Sequence, residues 1–322
     1  MRGGAWPVAG EFRTSSTTWT ESPVFEVHLR DGGFVGHGEA EPDEHDPEQW
    51  RERAREVEAI RPALEAGCTR DELLHLLPRG PARNAVDSAL LDLEAKACGR
   101  RAWELVGVEM PDSLETVYTI SAGTPAQMAT QAREHGLRGQ LKLKVDASDP
   151  LACVRAVREV APRSRFLVDA NQAWSFELLE AVARGLAELG VELIEQPLPR
   201  GEDEVLATYR GAVPLCADES CLDRSSLPEI LGRYGVINIK LDKTGGLTEA
   251  LLLAEAARAE GLGIMVGCNV GTSWAMAPAM IVAASGASFI DLDGPLLLAH
   301  DREPGLRYVG DRVEAPAAEV WG

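Results

Sequence analysis

Leu141-Lys142-Leu143-Lys144-Val145 alternates apolar and cationic side chains with the two-residue period of a β-strand, and its second lysine stands at the strand end. Four more apolar runs downstream finish on a charge: Phe166-Leu167-Val168-Asp169, Glu192-Leu193-Ile194-Glu195, Leu215-Cys216-Ala217-Asp218 and Ile237-Asn238-Ile239-Lys240. From Lys144 onward these charges are 25, 26, 23 and 22 positions apart, with helix-like sequence in each gap. Such a rhythm predicts strand-plus-helix units of a (β/α)8 barrel, a fold that places reactive groups at the C-terminal ends of its strands. Both faces of a barrel strand are covered, so Leu141, Leu143 and Val145 must face the helices while Lys142 and Lys144 face the barrel axis. An unpaired cation there would be costly. Lys142, Lys144, Asp169, Glu195, Asp218 and Lys240 therefore read as one mixed-charge site at one mouth.

Working outward, the alternation of strand and helix spans 113–291 and yields eight strands. The first is expected over 114–121 and the last two over 263–267 and 288–291, with no evident helix after the eighth. Helices are expected over 124–135, stopped by Gly136, and over 150–161. Residues 1–107 lack this alternation. Val24-Phe25-Glu26-Val27-His28-Leu29, Asp31-Gly32-Gly33 and Phe34-Val35-Gly36 read as a β-hairpin, followed by an acidic loop over 39–46. Helical patterns over 47–64 and 84–98 come next, the latter ending at Gly99. Strands followed by helices suggest an α+β domain over 1–107 and a barrel over 108–300. The segment 301–322 is expected to return to the first domain.

Bulk properties narrow the class. A net charge of −19 in 322 residues argues against nucleic-acid or anionic-membrane partners, which need a positive footprint. The six cysteines form no C-x-x-C pair and no zinc-type grouping with histidine, so they read as free thiols. Neither a signal peptide nor a bilayer-spanning apolar stretch is visible, and a cytoplasmic setting is expected. Gly32-Gly33-x-x-Gly36-x-Gly38 lacks a helix opening directly behind it, so it does not read as a dinucleotide fingerprint.

Asp169, Glu195 and Asp218 on three successive strands offer oxygen ligands without histidine or thiolate, a set that favours Mg2+, with Mn2+ as a substitute. The alternative is a carboxylate cluster neutralised by the lysines alone. With a metal held there, a substrate carboxylate would place its α-carbon between Lys144 and Lys240. Removing an α-proton beside a carboxylate builds enediolate charge, which a cation and the nearby Lys142 must hold in place. One amine would take the proton and the opposite ammonium would return one to the other face, inverting the carbon.

These residues resemble the enolase superfamily, and within it the muconate-lactonizing-enzyme subgroup. The matching motifs are Lys142-x-Lys144, Val168-Asp169-Ala170-Asn171, Ile194-Glu195-Gln196-Pro197, Ala217-Asp218-Glu219-Ser220 and Asn238-Ile239-Lys240-Leu241-Asp242-Lys243-Thr244-Gly245-Gly246. The resemblance implies a modified (β/α)7β TIM-like barrel with an N-terminal α+β capping domain. It also implies Asp169, Glu195 and Asp218 as metal ligands, Lys144 and Lys240 as the acid/base pair, and Lys142 as a stabiliser of developing charge. The design of lysine bases with Mg2+ in this superfamily is a known pattern. Within the same motifs, Asn171, Glu219 and Asp242 are expected to support these groups. Asp291-Leu292-Asp293-Gly294-Pro295 is similar to the D-x-D of dipeptide epimerases, whose two aspartates hold the substrate's α-ammonium.

Within 13–23, read as a loop, the Ala-Glu epimerases of this subgroup carry an arginine for the glutamate side chain, and Trp19 stands in its place. Arg13 is the basic residue that a shifted position would bring to the pocket. Asn269-Val270-Gly271 departs from the bulkier residues usual there, and the segment 40–47 is expected to form part of a lid. The resulting expectation is an Mg2+-dependent isomerase acting on L-Ala-L-Xaa dipeptides, Xaa being Glu or a more hydrophobic residue. A homo-oligomer is compatible with this reading. Its rivals are N-acylamino acid racemisation, o-succinylbenzoate synthesis or cycloisomerisation on the same barrel, and a non-catalytic barrel that binds amino compounds.

Overall fold

A computed structural model describes residues 1–15, 17–42, 49–135 and 138–322. Residues 43–47 of the expected lid, among them Pro47 where the first helix is expected to start, and Gly136 lie outside them.

The chain opens with an antiparallel sheet of β1 (Arg2–Arg13), β2 (Thr18–Asp31) and β3 (Phe34–Ala40). Glycine decides how this sheet meets the helix Pro81–Cys98. A Cβ on Gly36 would lie 2.0 Å from the Ala89 carbonyl oxygen, and one on Gly38 would lie 1.9 Å from that of Ala85. The glycine-rich stretch thus serves close helix-to-strand packing. Phe25, Val27, Val57, Leu73 and Val86 fill the core beneath.

A short β4 (Ser113–Glu115) precedes the eight barrel strands: β5 (Tyr118–Ile120), β6 (Gln140–Lys144), β7 (Arg165–Asp169), β8 (Val191–Glu195), β9 (Leu215–Ala217), β10 (Val236–Ile239), β11 (Gly263–Val266) and β12 (Phe289–Ile290). They pair in parallel in chain order, and Val117 N–H donates to the Ile290 carbonyl at 3.0 Å, joining the two edges. The expected strand over 114–121 is therefore two strands. β4 leaves the barrel to pair with β14 (Arg312–Glu314), which pairs in turn with β13 (Tyr308–Val309). A one-turn helix, Gly294–Leu297, follows the eighth barrel strand, where none was evident from sequence.

Inward-facing side chains form layers. Val117, Leu167, Leu193, Cys216, Val236 and Met265 make an apolar plug inside the barrel. Two residues further along their strands stand Asp169, Glu195 and Asp218. Parallel register sets Lys144 beside Asp169 and Lys142 beside Leu167, so Lys142 enters the axis one layer deeper. Leu141, Leu143 and Val145 join the outer core under the helices.

The last residues reach back to the first ones: Trp321 Nε1 donates to the His37 carbonyl at 2.8 Å, and Gly322 N–H to Asp92 Oδ1 at 2.7 Å. Among the described residues all six cysteines are free, and no helix is long and apolar enough to cross a membrane.

Candidate active site

The N-terminal sheet leans over the C-terminal ends of the barrel strands. Ser22 Oγ donates to the Val270 carbonyl at 2.5 Å, Ser15 Oγ to the Asn171 carbonyl at 3.1 Å, and Thr272 N–H to Glu39 Oε1 at 2.8 Å. Arg302 clamps the same junction, with 2.6 Å to Glu26 Oε1, 2.5 Å to Glu39 Oε2 and its guanidinium 3.6 Å from the Trp274 ring centre.

Between sheet and barrel lies one cavity. Lys142, Lys144, Lys240, Asp291 and Asp293 line its barrel side, with Asn171, Glu219, Cys268 and Asn269. Val8, Phe12, Trp19 and Glu21 line the opposite side. Trp19 lies on β2 rather than on a loop, opposite Phe12, with ring centres 5.8 Å apart. Arg13 points away: its guanidinium pairs with Glu11 at the surface. Among the described residues no arginine lines this cavity.

Beneath the lysines Asp169, Glu195 and Asp218 are each at most 2% exposed. Lys144 Nζ donates to Asp169 Oδ2 at 2.7 Å, and Lys240 Nζ to Asp218 Oδ2 at 2.7 Å. Lys142 Nζ stands 3.0 Å from Asp169 Oδ2, 2.7 Å from Glu195 Oε2 and 2.8 Å from Asp291 Oδ2. Its contact with Glu195 is an ion pair out of hydrogen-bonding alignment, and that oxygen has no donor. Two residues not singled out from sequence complete the cluster. Lys243 Nζ holds Asp218 Oδ1 at 2.5 Å, and Asn238 Nδ2 donates to Glu195 Oε1 at 2.8 Å. Both lie in the Asn238-to-Gly246 motif: Lys243 stands on the helix Leu241–Thr244, off the strand period, whereas Asn238 is the inward polar residue that the alternation Ile237-Asn238-Ile239 could have flagged.

Charge in this cluster does not balance. Asp169, Glu195, Asp218, Glu219, Asp291 and Asp293 face Lys142, Lys144, Lys240 and Lys243, two positive charges short. Burial and the neighbouring Asp169 push the Glu195 carboxyl up to about 7. Burial with Asp218 does the same for Glu219, and burial with Asp291 for Asp293, each to about 7. Asp169 is buried too, yet the Lys144 and Lys142 charges outweigh that and bring it to about 2. For Lys142, burial is outweighed by Asp291, Glu195 and Asp169, and its pKa lies well above the ordinary lysine value.

This environment fits a divalent cation. Glu195 Oε2, Glu219 Oε2 and Asn171 Oδ1 are buried without hydrogen-bond partners, and hard oxygen donors in excess of positive charge suit Mg2+. Among the described residues, the three His, Cys, Asp or Glu side chains whose ligand atoms lie mutually within 4.8 Å are different ones: Cys268, Asp291 and Asp293. Asp169, Glu195 and Asp218 are instead each engaged by lysine: Asp169 by Lys142 and Lys144, Glu195 by Lys142, and Asp218 by Lys240 and Lys243. Asp291 and Asp293 do share one wall, as the D-x-D spacing suggests, although Asp293 Oδ2 already accepts from Thr119 N–H at 2.6 Å. Asp242 sits elsewhere. Its Oδ1 accepts from Asn84 Nδ2 at 2.9 Å and Glu41 N–H at 3.2 Å, tying sheet to barrel rather than supporting the acidic trio.

Comparison with known proteins gives the same architecture. Residues 2–107 match the family model described as mandelate racemase / muconate lactonizing enzyme, N-terminal domain, and residues 125–318 match enolase C-terminal domain-like. L-Ala-D/L-Glu epimerase of Escherichia coli K12 is 42% identical, over 94% of this chain and 95% of that one. N-acetyl-D-glutamate racemase of a Pseudoalteromonas species is 41% identical, over 92% and 94%. A crystal structure of an Agrobacterium tumefaciens enolase family member with homology to dipeptide epimerases, holding sodium and L-Ala-L-Glu, superposes with a TM-score of 0.95. It is 46% identical, covering 100% of this chain and 98% of that one.

Proposed function

The chain belongs to the mandelate racemase / muconate lactonizing enzyme family of the enolase superfamily, and from that premise we propose how it works as a dipeptide epimerase. It inverts the α-carbon of the C-terminal residue of a dipeptide by moving one proton between two lysines. The observation that carries this reading is the placement of the amines. Lys144 ends β6 and Lys240 follows β10, four strands apart in an eight-stranded barrel, and both line the same cavity. Groups so placed approach a substrate carbon from opposite sides.

Asp169, Glu195 and Asp218 are the residues that would hold Mg2+, which when bound neutralises the substrate carboxylate and the charge that builds beside it. Lys142, one layer deeper, adds fixed positive charge there. Lys144 or Lys240 removes the α-proton, and the other, as an ammonium, returns one to the opposite face. Asp291 and Asp293 would receive the substrate's N-terminal ammonium, whose charge offsets the Asp291 repulsion that adds to burial in raising Asp293.

For the side chain at the inverted carbon, the proposal is a neutral apolar group. Trp19, Phe12 and Val8 form the facing wall, and Glu21 and Glu41 also line it, an arrangement unfavourable to a glutamate carboxylate. Incubation of L-Ala-L-Leu, L-Ala-L-Phe and L-Ala-L-Glu with Mg2+ in D2O tests both points. Inverted product carrying one α-deuterium is expected, with the highest kcat/KM for the apolar substrates. Inversion without deuterium would refute proton transfer, and a preference for L-Ala-L-Glu would refute the side-chain assignment.

The N-acetyl-D-glutamate racemase relative supports a second reading, racemisation of an N-acyl amino acid. An N-acyl group carries no ammonium for Asp291 and Asp293. Equal rates on a dipeptide and its N-acetyl derivative would favour that reading over dipeptide epimerisation.

A further inference from the structure

Three non-glycine residues among those described have a positive φ, and all follow directly on the carboxylate-bearing strands: Asn171 (44°), Gln172 (66°) and Gln196 (34°). Left-handed backbone at such residues is costly and persists where the surroundings enforce it. Gln196 is the hub of those surroundings. It is fully buried. Its N–H donates to the Cys216 carbonyl at 2.9 Å, and its carbonyl accepts from Gln172 N–H at 2.8 Å. Its side-chain Oε1 accepts from Asp218 N–H at 2.9 Å and Ser220 N–H at 3.1 Å. One residue thus binds the ends of β7, β8 and β9 together, the three strands that present Asp169, Glu195 and Asp218.

The amide must point one way for this to work, and a buried carboxylate reinforces the direction that the Leu198 carbonyl, 2.9 Å from Nε2, already favours. Asp203 Oδ2 accepts from Ser220 Oγ at 2.6 Å and from the Tyr234 hydroxyl at 2.7 Å, while Arg233 pairs with its Oδ1 at 3.1 Å. An ionised carboxylate only accepts, so both hydroxyl protons are committed to it. Burial and the bond to Asp203 raise the Tyr234 pKa, which keeps that proton in place. The two hydroxyls therefore turn lone pairs toward Gln196, whose Nε2 lies 2.9 Å from Ser220 Oγ, 3.0 Å from the Tyr234 oxygen and 2.9 Å from the Leu198 carbonyl, so its two protons are shared among three acceptors. With the amino group fixed there, the amide oxygen must face the N–H groups of Asp218 and Ser220. A flipped amide would set donor against donor at Asp218.

We infer that Asp203, Tyr234, Ser220 and Gln196 form a directional relay of positioning residues that sets the spacing of the three carboxylates and hence the affinity of the site for Mg2+. Glutamine rather than glutamate is needed at 196, because glutamate offers no N–H to the two hydroxyls. This inference rests on the Mg2+ site proposed above. Supporting groups around metal ligands typically change metal affinity about 10- to 100-fold.

The test is calorimetric titration of the full-length protein with MgCl2, without substrate, for the parent, Tyr234→Phe, Asp203→Asn and Gln196→Glu, with melting temperatures measured in parallel with and without Mg2+. The relay predicts dissociation constants raised about tenfold or more in each variant, a smaller Mg2+-induced rise in melting temperature, and kcat recovered at saturating Mg2+ in Tyr234→Phe. A variant that melts lower without Mg2+ but binds it within twofold of the parent would show packing alone and overturn the inference while leaving the proposed function standing. Absence of Mg2+ binding to the parent would overturn both.

Discussion

The two walls of the cavity are made differently. The barrel wall is a lattice of lysines and carboxylates whose positions follow from strand register: Lys144 beside Asp169, Asp169 beside Glu195. The opposite wall comes from the β1–β2 hairpin, with register shifted between Pro7 and Phe12 and apolar residues facing the site. Chemistry sits on the regular wall and substrate choice on the irregular one. A change on the first should abolish turnover whatever the substrate, and a change on the second should re-rank substrates while turnover survives.

The largest effect expected is on the barrel wall. Lys240→Ala and Lys144→Ala should each lower epimerisation by about 10³-fold or more, the scale of a lost acid/base group, for every dipeptide tried. A loss confined to one substrate would erase the contrast between the walls. Arg302 joins them, so Arg302→Ala should cost about 3 kcal/mol, because Glu26 and Glu39 lose their shared cation. Urea unfolding measures it. On the hairpin wall, Trp19→Arg should move the kcat/KM ratio of L-Ala-L-Glu to L-Ala-L-Leu toward glutamate by roughly 10-fold, with summed turnover nearly unchanged.

A smaller effect is acid sensitivity of the junction. Burial would raise the Glu26 carboxyl, but hydrogen bonds from His28 and Arg302 and their charges bring it from 4.5 down to about 2. A depressed carboxyl stabilises the folded state above its unfolded pKa. That contribution, on the order of 1–2 kcal/mol after solvent screening, should fade as pH falls from about 4.5 through about 2. Glu26→Gln should flatten the stability curve across that window. An unchanged slope would remove Glu26 from the account.

The same contrast explains what could be read from sequence. Lys142 and Lys144 were legible because a period of two, with leucines between, leaves one inward face. Asp169, Glu195 and Asp218 were legible because each ends an apolar run. β1 was not: Gly3, Gly4, Pro7 and Gly10 break its alternation, and its pairing with β2 is long-range. Trp19, whose strand partner is Phe12 on β1, reads as loop as long as β1 itself is not evident. The run 114–121 looks continuous, yet it splits between two sheets because β4 finds its partner in the chain's last residues. Asp242, within the Lys240 motif, bonds Asn84 and the Glu41 N–H, partners far away in the chain. Of the Gln196 relay, Gln196 and Ser220 fall inside the quoted motifs, but Asp203 and Tyr234 stand in no local pattern that links them to it.

The most direct test of opposed lysines is stereospecific. Each epimer of the preferred dipeptide is incubated in D2O with Mg2+ and either Lys144→Ala or Lys240→Ala, and α-proton exchange is followed by NMR. Two lysines on opposite faces predict that each variant exchanges the α-proton of one epimer only, the two variants choosing opposite epimers, with no interconversion. Exchange of both epimers by one variant, or the same epimer by both variants, would contradict the account.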